Sequence, residues 1–277
     1  MSFSLCHPAR EVPLFLTLVN RAYLPGLLTF TYSLSVNAGP IPKNLTILQE
    51  DPVPARLKSR IESFGLHCDY INFKQLGDLK SPVKQAQPRL EFAFKKLSIL
   101  QYPHQGTVCF MDVDMLCLNN MSGVETMRHF SVAPDRGIRE PNIVNGYPMF
   151  NTGFVVYSPS RDLFNSVYKY ATKTNRPIHK LGDQSVLNWY FYENDPDAVQ
   201  LLDHDWNTLI RVYHHMPEYF DLKNIKLLHF VGPKPWEDPA LDKSRHHYRS
   251  LRVLWWSYFK RAGGPELFPD VPVPMVD

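Results

Sequence analysis

The sequence predicts an α/β fold: a central, mostly parallel sheet flanked by helices, with a smaller mixed sheet in the second half. Three observations carry this. Short, continuous apolar runs alternate with helical periodicity between Pro13 and Met111, the pattern of strands covered by helices on both faces. Two acidic residues stand directly after one of those runs, where open α/β sheets place their ligands. Beyond Asn119 the strands become shorter and their spacing irregular.

Taken in order, Pro13-Leu14-Phe15-Leu16-Thr17-Leu18-Val19 reads as a strand buried on both sides. It stops at Asn20 to Gly26, and a helix is expected from Leu27 to Val36. Leu45 to Leu48 and Cys68 to Phe73 read as the next strands, around a helix from Ala55 to Phe64 whose Leu57, Ile61 and Phe64 share one face. Arg89 to Leu100 is expected to be helical, with Phe92 and Lys96 on one side and Leu97 and Leu100 continuing an apolar stripe. Thr107 to Met111 is a buried strand running into Asp112-Val113-Asp114. In the second half, Ser131 to Ala133, Phe154 to Tyr157 and Leu227 to Phe230 are strands, with helices around Asp162 to Thr172 and Asp183 to Tyr192. No Gly/Ser linker and no repeat interrupts the chain, so residues 12–240 are expected to form one domain, followed by a C-terminal helix and Pro-rich tail over 241–277.

Composition narrows the function. At 277 residues the chain is long enough for a substantial core, and 44% hydrophobic with 21% charged residues excludes disordered, collagen-like and coiled-coil classes. Thirty basic against 27 acidic residues give a net charge of +3 without a Lys/Arg block, which leaves no footprint for nucleic acid. Four cysteines without a Cys-x-x-Cys pair indicate no disulfide framework, and Cys109 reads as a small buried hydrophobe. No transmembrane segment is expected, because no apolar stretch approaches about 18 residues. These features read as a soluble protein of a reducing compartment, the cytoplasm. Prolines at 265, 269, 272 and 274 predict an extended, non-helical end that is not part of the core.

Asp112 and Asp114 follow an apolar strand. In a regular strand their side chains would alternate, so the chain must turn for both carboxylates to meet one cation. Hard oxygen ligands suit Mg²⁺ or Mn²⁺, although solvated acids at a strand end have the same local pattern. His229 ends another apolar strand, and the rigid Gly232-Pro233-Lys234-Pro235-Trp236 turn would hold an ammonium in place. Imidazole suits Mn²⁺ and the ammonium suits phosphate oxygens. Asn151 and Gln184 offer amides for sugar hydroxyls, and Asp183 at a helix start has N-capping as its plainer role.

In sequence order, Leu16 to Leu34, Phe110-Met111-Asp112-Val113-Asp114, Ala133-Pro134-Asp135, Phe150-Asn151-Thr152-Gly153, Gly182-Asp183-Gln184 with Leu187-Asn188, and His229 through Trp236 resemble glycosyltransferase family 8, its glycogenin-like branch in particular. The resemblance spans roughly residues 12–240. It implies a retaining glycosyltransferase of the GT-A fold that moves a hexose, glucose or galactose, from a UDP-sugar to a glycan or hydroxyl acceptor with Mn²⁺ or Mg²⁺. It implies Asp112, Asp114 and His229 as metal ligands and Asn20 and Tyr23 as uridine-binding residues. It implies Asp112, Val113, Asp114, Gly232 and Lys234 as donor-binding residues, with Lys234 as the diphosphate-contacting lysine. Asp135, Asn151, Asp183 and Gln184 fall around the transferred sugar. Asp183, Gln184 and Lys96 fall at the catalytic positions. A homodimer is compatible with this reading. The turn from His229 to Trp236 is one residue shorter than in that branch. Gln87 stands where the branch has an Arg, with Arg89 two residues on, and the Ile138 to Pro148 insert is longer.

Three other readings remain open to the sequence. A sugar nucleotidyltransferase would want a Gly-rich basic loop after the first strand, and Asn20 to Gly26 holds one glycine. A non-catalytic sugar-nucleotide-binding protein could share the fold. A glycogenin-type protein would glucosylate its own tyrosine, for which Tyr213 lies near the matching place; an external acceptor is the expectation. The aromatic clusters Trp189 to Tyr192 and Leu254 to Phe259 read as core packing, with an amphipathic membrane-surface helix as the alternative for the second.

Overall fold

The computed structural model describes residues 12–40, 44–77, 93–137, 143–178, 181–238 and 246–272. Gln87, Arg89, Phe92 and Pro274, singled out in the sequence, lie outside them.

The apolar run Leu14–Val19 forms β1, buried from Phe15 onward. Phe15 and Val19 face one core and Leu16 and Leu18 the other, which is why no polar alternation marks the strand. Thr17 is the exception in composition, and its buried hydroxyl donates to Met111 O at 2.7 Å. The strands β2 (Asn44–Gln49), β3 (His67–Asn72) and β4 (Val108–Met111) run parallel to β1, with β1 between β4 and β2. The long strand β9 (Phe150–Tyr157) lies antiparallel between β4 and β6 (Ser131–Pro134), and β10 (Gln200–Leu201) closes that edge. The resulting seven-stranded sheet has the order β10-β6-β9-β4-β1-β2-β3. A second sheet of three strands joins β11 (Thr208–Leu209), β12 (Leu227–His229) and β5 (Met115–Cys117). The hairpin β7 (Ile143–Val144) and β8 (Tyr147–Pro148) stands apart. This is the predicted mixed α/β architecture with a smaller sheet in the second half.

Helix α1 (Leu24–Asn37) covers one face of the main sheet, and α2 (Ala55–Glu62) extends that face through Leu57 and Ile61. Helices α3 (Arg161–Lys173) and α4 (Asp183–Asn194) cover the other. A short α5 (Ile210–His215) follows β11, and α6 (Arg249–Arg261) packs on α1. Leu251, Trp255 and Phe259 of α6 join the same core as β1, with Trp255 stacked on Phe259 at 5.0 Å and tilted on Trp236 at 5.5 Å. The core-packing reading therefore holds for this aromatic cluster.

Several expectations are corrected. The helix expected from Leu27 begins at Leu24, because Pro25 is tolerated in the first turn, where its missing N–H has no intrahelical partner. In the segment expected to be helical up to Leu100, Lys96–Gln101 is a 3-10 helix. The strand expected at Phe154 starts at Phe150, since the polar pair Asn151 and Thr152 finds its partners inside the protein. The proline-rich end is not excluded from the core: Gly264–Leu267 (α7) is helical with Pro265 in its first turn, Phe268 and Val271 pack against the core, and Trp256 Nε1 donates to Pro272 O at 3.0 Å.

Candidate active site

The switch in strand order falls between β1 and β4, so the crevice beyond their carboxyl ends is where an open α/β sheet receives its ligand. β4 stops at Met111, the chain turns through Val113 and Asp114, and β5 starts at Met115. This turn brings together the two carboxylates that a straight strand would have parted. The backbone is pinned on both sides: Asp112 N donates to Gly153 O at 2.8 Å, and Phe230 N donates to Asp114 O at 2.9 Å. β12, antiparallel to β5, sets His229 opposite Met115. One ligand atom from each of Asp112, Asp114 and His229 then lies within 4.8 Å of the others.

Two lysines complete the cluster. Lys96 Nζ donates to Asp112 at 2.9 and 3.1 Å and to Thr152 O at 2.9 Å, and it lies 3.5 Å from Asp183 Oδ2. Lys234 Nζ donates to Asp114 Oδ2 at 2.5 Å and to Phe230 O at 2.9 Å. The shorter turn after His229 thus still brings Lys234 to Asp114. Burial opposes ionisation of Asp114, but Lys234 and His229 outweigh it and hold its carboxyl well below the usual carboxylate range. Burial pushes the Asp112 carboxyl up despite Lys96. Both lysines are raised: burial works against their charge, and Asp112 and Asp183 for Lys96, and Asp114 for Lys234, overcome it. Three carboxyl groups face two lysines here, in a cluster buried except at Asp112.

The cluster fits a divalent cation. Ligand atoms about 2.0–2.2 Å from one ion sit roughly 3–4 Å apart, so a contraction of about 1 Å would close the present spacing. Two carboxylates and one imidazole suit Mn²⁺ or Mg²⁺ better than a thiolate-seeking metal.

A chain of amides runs from His229 away from the cluster. Gly153 N donates to Asn151 Oδ1 at 2.9 Å, which fixes that amide's orientation because a backbone N–H only donates. Asn151 Nδ2 therefore donates to Gln184 Oε1 at 2.9 Å, and Gln184 Nε2 to the carboxylate of Asp135 at 3.0 Å. On the other side Asn207 Nδ2 donates to Asn151 Oδ1 at 2.8 Å, so Asn207 Oδ1 accepts from His229 Nδ1 at 2.9 Å. The imidazole is thereby held with Nε2 toward Asp114 Oδ1, at 3.2 Å. Gly153 also makes room: a Cβ there would collide with the His229 ring.

Of the residues expected from the sequence, the structure gathers Lys96, Asp112, Asp114, Asp183, His229 and Lys234 in one cluster, with Asp135, Asn151 and Gln184 along the amide chain. Asp183 is not the N-cap; Gly182 takes that place, and Asp183 accepts from Thr152 Oγ1 at 2.7 Å. Tyr23 stands on the flank, its ring 5.8 Å from Lys234 Nζ, with its hydroxyl held protonated to higher pH by burial. Asn20 caps the turn into α1 by accepting from Ala22 N at 3.1 Å. The Val113 side chain points into the core, so only its backbone is available to a ligand. Gly232 has φ +82° at the rim. Sequence reasoning missed Asn207 and Arg211, which ion-pairs with Asp135. Neither stands in an apolar run or a spaced acidic motif, and only the pairing of Trp206-Asn207 just before β11 marks the place.

Comparison with known proteins gives the chain's family and fold. The family described as Glycosyl transferase family 8 matches residues 15–240. Glycogenin-1 of Mus musculus is 27% identical over 261 residues, covering 88% of this chain and 74% of its own. Galactinol synthase 2 of Solanum lycopersicum is 28% identical over 114 residues, 40% of this chain and 32% of its own. Among solved structures, the galactosyltransferase LgtC in complex with donor and acceptor sugar analogs superposes with a TM-score of 0.57 at 15% identity, covering 86% of this chain and 94% of that one. The glycosyltransferase GlyE of Streptococcus pneumoniae gives 0.62 at 16% identity, covering 96% and 66%. These two superpositions speak to the fold, which is that of GT-A glycosyltransferases.

Proposed function

The chain belongs to glycosyltransferase family 8, and from that premise we propose a retaining hexosyltransferase that takes glucose or galactose from a UDP-sugar to an external glycan or hydroxyl acceptor. The observation that carries the proposal is the cluster of Asp112 and Asp114 from one turn and His229 from a distant strand, flanked by Lys96 and Lys234, at the mouth of the sheet.

In such a transfer the acceptor hydroxyl oxygen bonds to the anomeric carbon as the bond from that carbon to the diphosphate oxygen breaks. The electron pair leaves with UDP, and the hydroxyl proton passes to the departing diphosphate. A divalent cation held by Asp112, Asp114 and His229 supplies charge neutralisation for the diphosphate when bound. Lys234, fixed between Asp114 and Phe230 O, is placed to donate to the same phosphate oxygens. Tyr23, beside Lys234, and Asn20 line the way for the uridine. Lys96 holds Asp183 and Asp112 in fixed relation. Asp183 is ion-paired and accepts from Thr152, and both contacts weaken a carboxylate as a nucleophile. This favours same-face attack, with Asp183 and Gln184 positioning the sugar, over a covalent intermediate on Asp183.

The test is hydrolysis of UDP-glucose and UDP-galactose with Mn²⁺. The proposal expects turnover that falls by about 10²–10³ in Asp114→Asn, the loss typical of removing a preorganised charge contact. Turnover insensitive to that change, or a glycosyl adduct on Asp183 found by mass spectrometry, contradicts it.

A further inference from the structure

Four of the chain's eleven histidines stand in two adjacent pairs, His214-His215 and His246-His247. The fold brings one ring of each pair together across 33 residues of chain. His247 Nδ1 lies 2.7 Å from His214 Nε2, with ring centroids 3.9 Å apart and the planes at 82°. We propose that His214 and His247 form a second metal site, selective for an imidazole-seeking cation such as Zn²⁺ or Cu²⁺, which ties α5 to the approach to α6. This does not depend on the glycosyl-transfer reading above.

The ligand atoms already face each other. A neutral imidazole carries one proton on its two nitrogens, so in the present contact one ring donates and the other accepts. When the donating ring carries its proton on its outer nitrogen instead, both facing lone pairs are free for a cation, with no change in the charge of either ring. Zn²⁺ bonded tetrahedrally to two nitrogens at about 2.0–2.1 Å holds them roughly 3.3 Å apart, so the rings need to part by only about 0.6 Å. Both side chains are exposed, and water can complete the coordination sphere.

The backbones that carry the rings are anchored, which separates this pair from two loose surface side chains. On α5, Ile210 and Val212 are buried, and Val212 O accepts from Met216 N at 2.9 Å. On the other side, Tyr248 O accepts from Arg252 N at 2.9 Å, and Leu251, one turn beyond His247, enters the core. Helix α5 also carries Arg211, the ion-pair partner of Asp135 at the end of the amide chain. A cation at His214 thus braces a helix that contributes to the crevice.

Ligand chemistry separates the two sites. Among the described residues, the three-ligand cluster is Asp112, Asp114 and His229, whose carboxylates favour a hard cation. The pair at α5 offers nitrogen alone, so its affinity places Cu²⁺ above Ni²⁺ and Zn²⁺, with Mn²⁺ far below.

The experiment adds Cu²⁺ to the full-length protein and counts the coupled imidazole nitrogens by electron spin-echo spectroscopy. The carboxylate cluster holds one histidine, so a signal from two imidazoles identifies the site at α5. Amide hydrogen exchange with and without Zn²⁺ reads the tie between the two segments. The proposal expects a two-imidazole Cu²⁺ signal that Zn²⁺ displaces and that Mn²⁺ does not. His214→Gln and His247→Gln should each weaken that binding by at least about tenfold, no less than the loss of an outer-shell partner costs. His67→Gln, which removes an exposed imidazole on β3, should leave it unchanged. Zn²⁺ should slow exchange in α5 and from Tyr248 to Arg252 in the wild type and in neither His214→Gln nor His247→Gln. A single imidazole coupling in the wild type, a two-imidazole signal that survives His247→Gln, its loss in His67→Gln, or exchange slowed by Zn²⁺ in neither segment overturns the assignment.

Discussion

Asn207 illustrates how much one interior amide decides. It is buried, its side chain bonds Asn151 and His229, and it fixes which nitrogen of His229 faces the cation site. Asn207→Leu removes the acceptor for His229 Nδ1 and is expected to weaken Mn²⁺ binding by about 10–100-fold, the range for removed partners of a metal-ligating imidazole. Asn207→Asp keeps an acceptor oxygen and is expected to recover most of that loss. Titration of Mn²⁺ followed by the electron paramagnetic resonance of the free ion measures both; equal affinity in the wild type and Asn207→Leu would show that the amide chain does not orient the histidine. The lysines give a second expectation at this scale. Their folded-state pKa values are raised, so their stabilising charge is complete below the ordinary lysine value of about 10.4 and is lost as pH rises through the folded values. Urea unfolding without added cation should therefore show stability falling above about pH 10. Lys234→Met should lower stability near pH 7 by about 3–5 kcal/mol, since it strands a buried carboxylate, and should flatten the alkaline fall. An unchanged alkaline limb in Lys234→Met would mean that other groups cause it.

At the scale of elements, the helices and strands carry the site by meeting at one crevice. β4, β5 and β12 place the cation ligands, and β9 with the start of α4 places the amides. Helix α6, although distant in sequence, supports this through Trp255, which packs on Trp236 two residues after Lys234. Trp255→Ala is expected to cost about 3–5 kcal/mol of stability in denaturant unfolding, the usual cost of emptying an aromatic core position; a loss under about 1 kcal/mol would mean that α6 is only loosely docked. The first strands were legible because burial on both faces leaves a continuous apolar run such as Leu14–Val19. Asp112 and Asp114 were legible because a metal pair needs two acids at fixed spacing beside such a run. β5, β10 and β11 were not: strands of two or three residues carry too few side chains to show any period. Asn207 and Arg211 escaped for a different reason. Their significance comes from partners 56 and 76 residues away, Asn151 and Asp135, and no local pattern encodes contacts of that range. The Pro-rich end was misjudged because proline forbids helix interiors but not first turns or docked extended chain.

For the whole molecule, the strand order, the second sheet and the C-terminal helix converge on one arrangement: a crevice at the mouth of the sheet with a carboxylate and imidazole cluster, from which a chain of hydrogen-bonded amides runs to Asp135. No helix among the described residues is long and apolar enough to cross a membrane. Donor binding that needs the cation should stabilise the fold only when both are present, by about 2.7 kcal/mol at a donor concentration one hundred times its Kd. The measurement that bears most directly on this account is anomalous scattering from manganese in crystals grown with UDP and Mn²⁺. The account predicts one strong peak bound by the carboxylates of Asp112 and Asp114 and by Nε2 of His229. A nucleotide-bound structure with no peak between those three side chains, or with the ion held elsewhere, would contradict it.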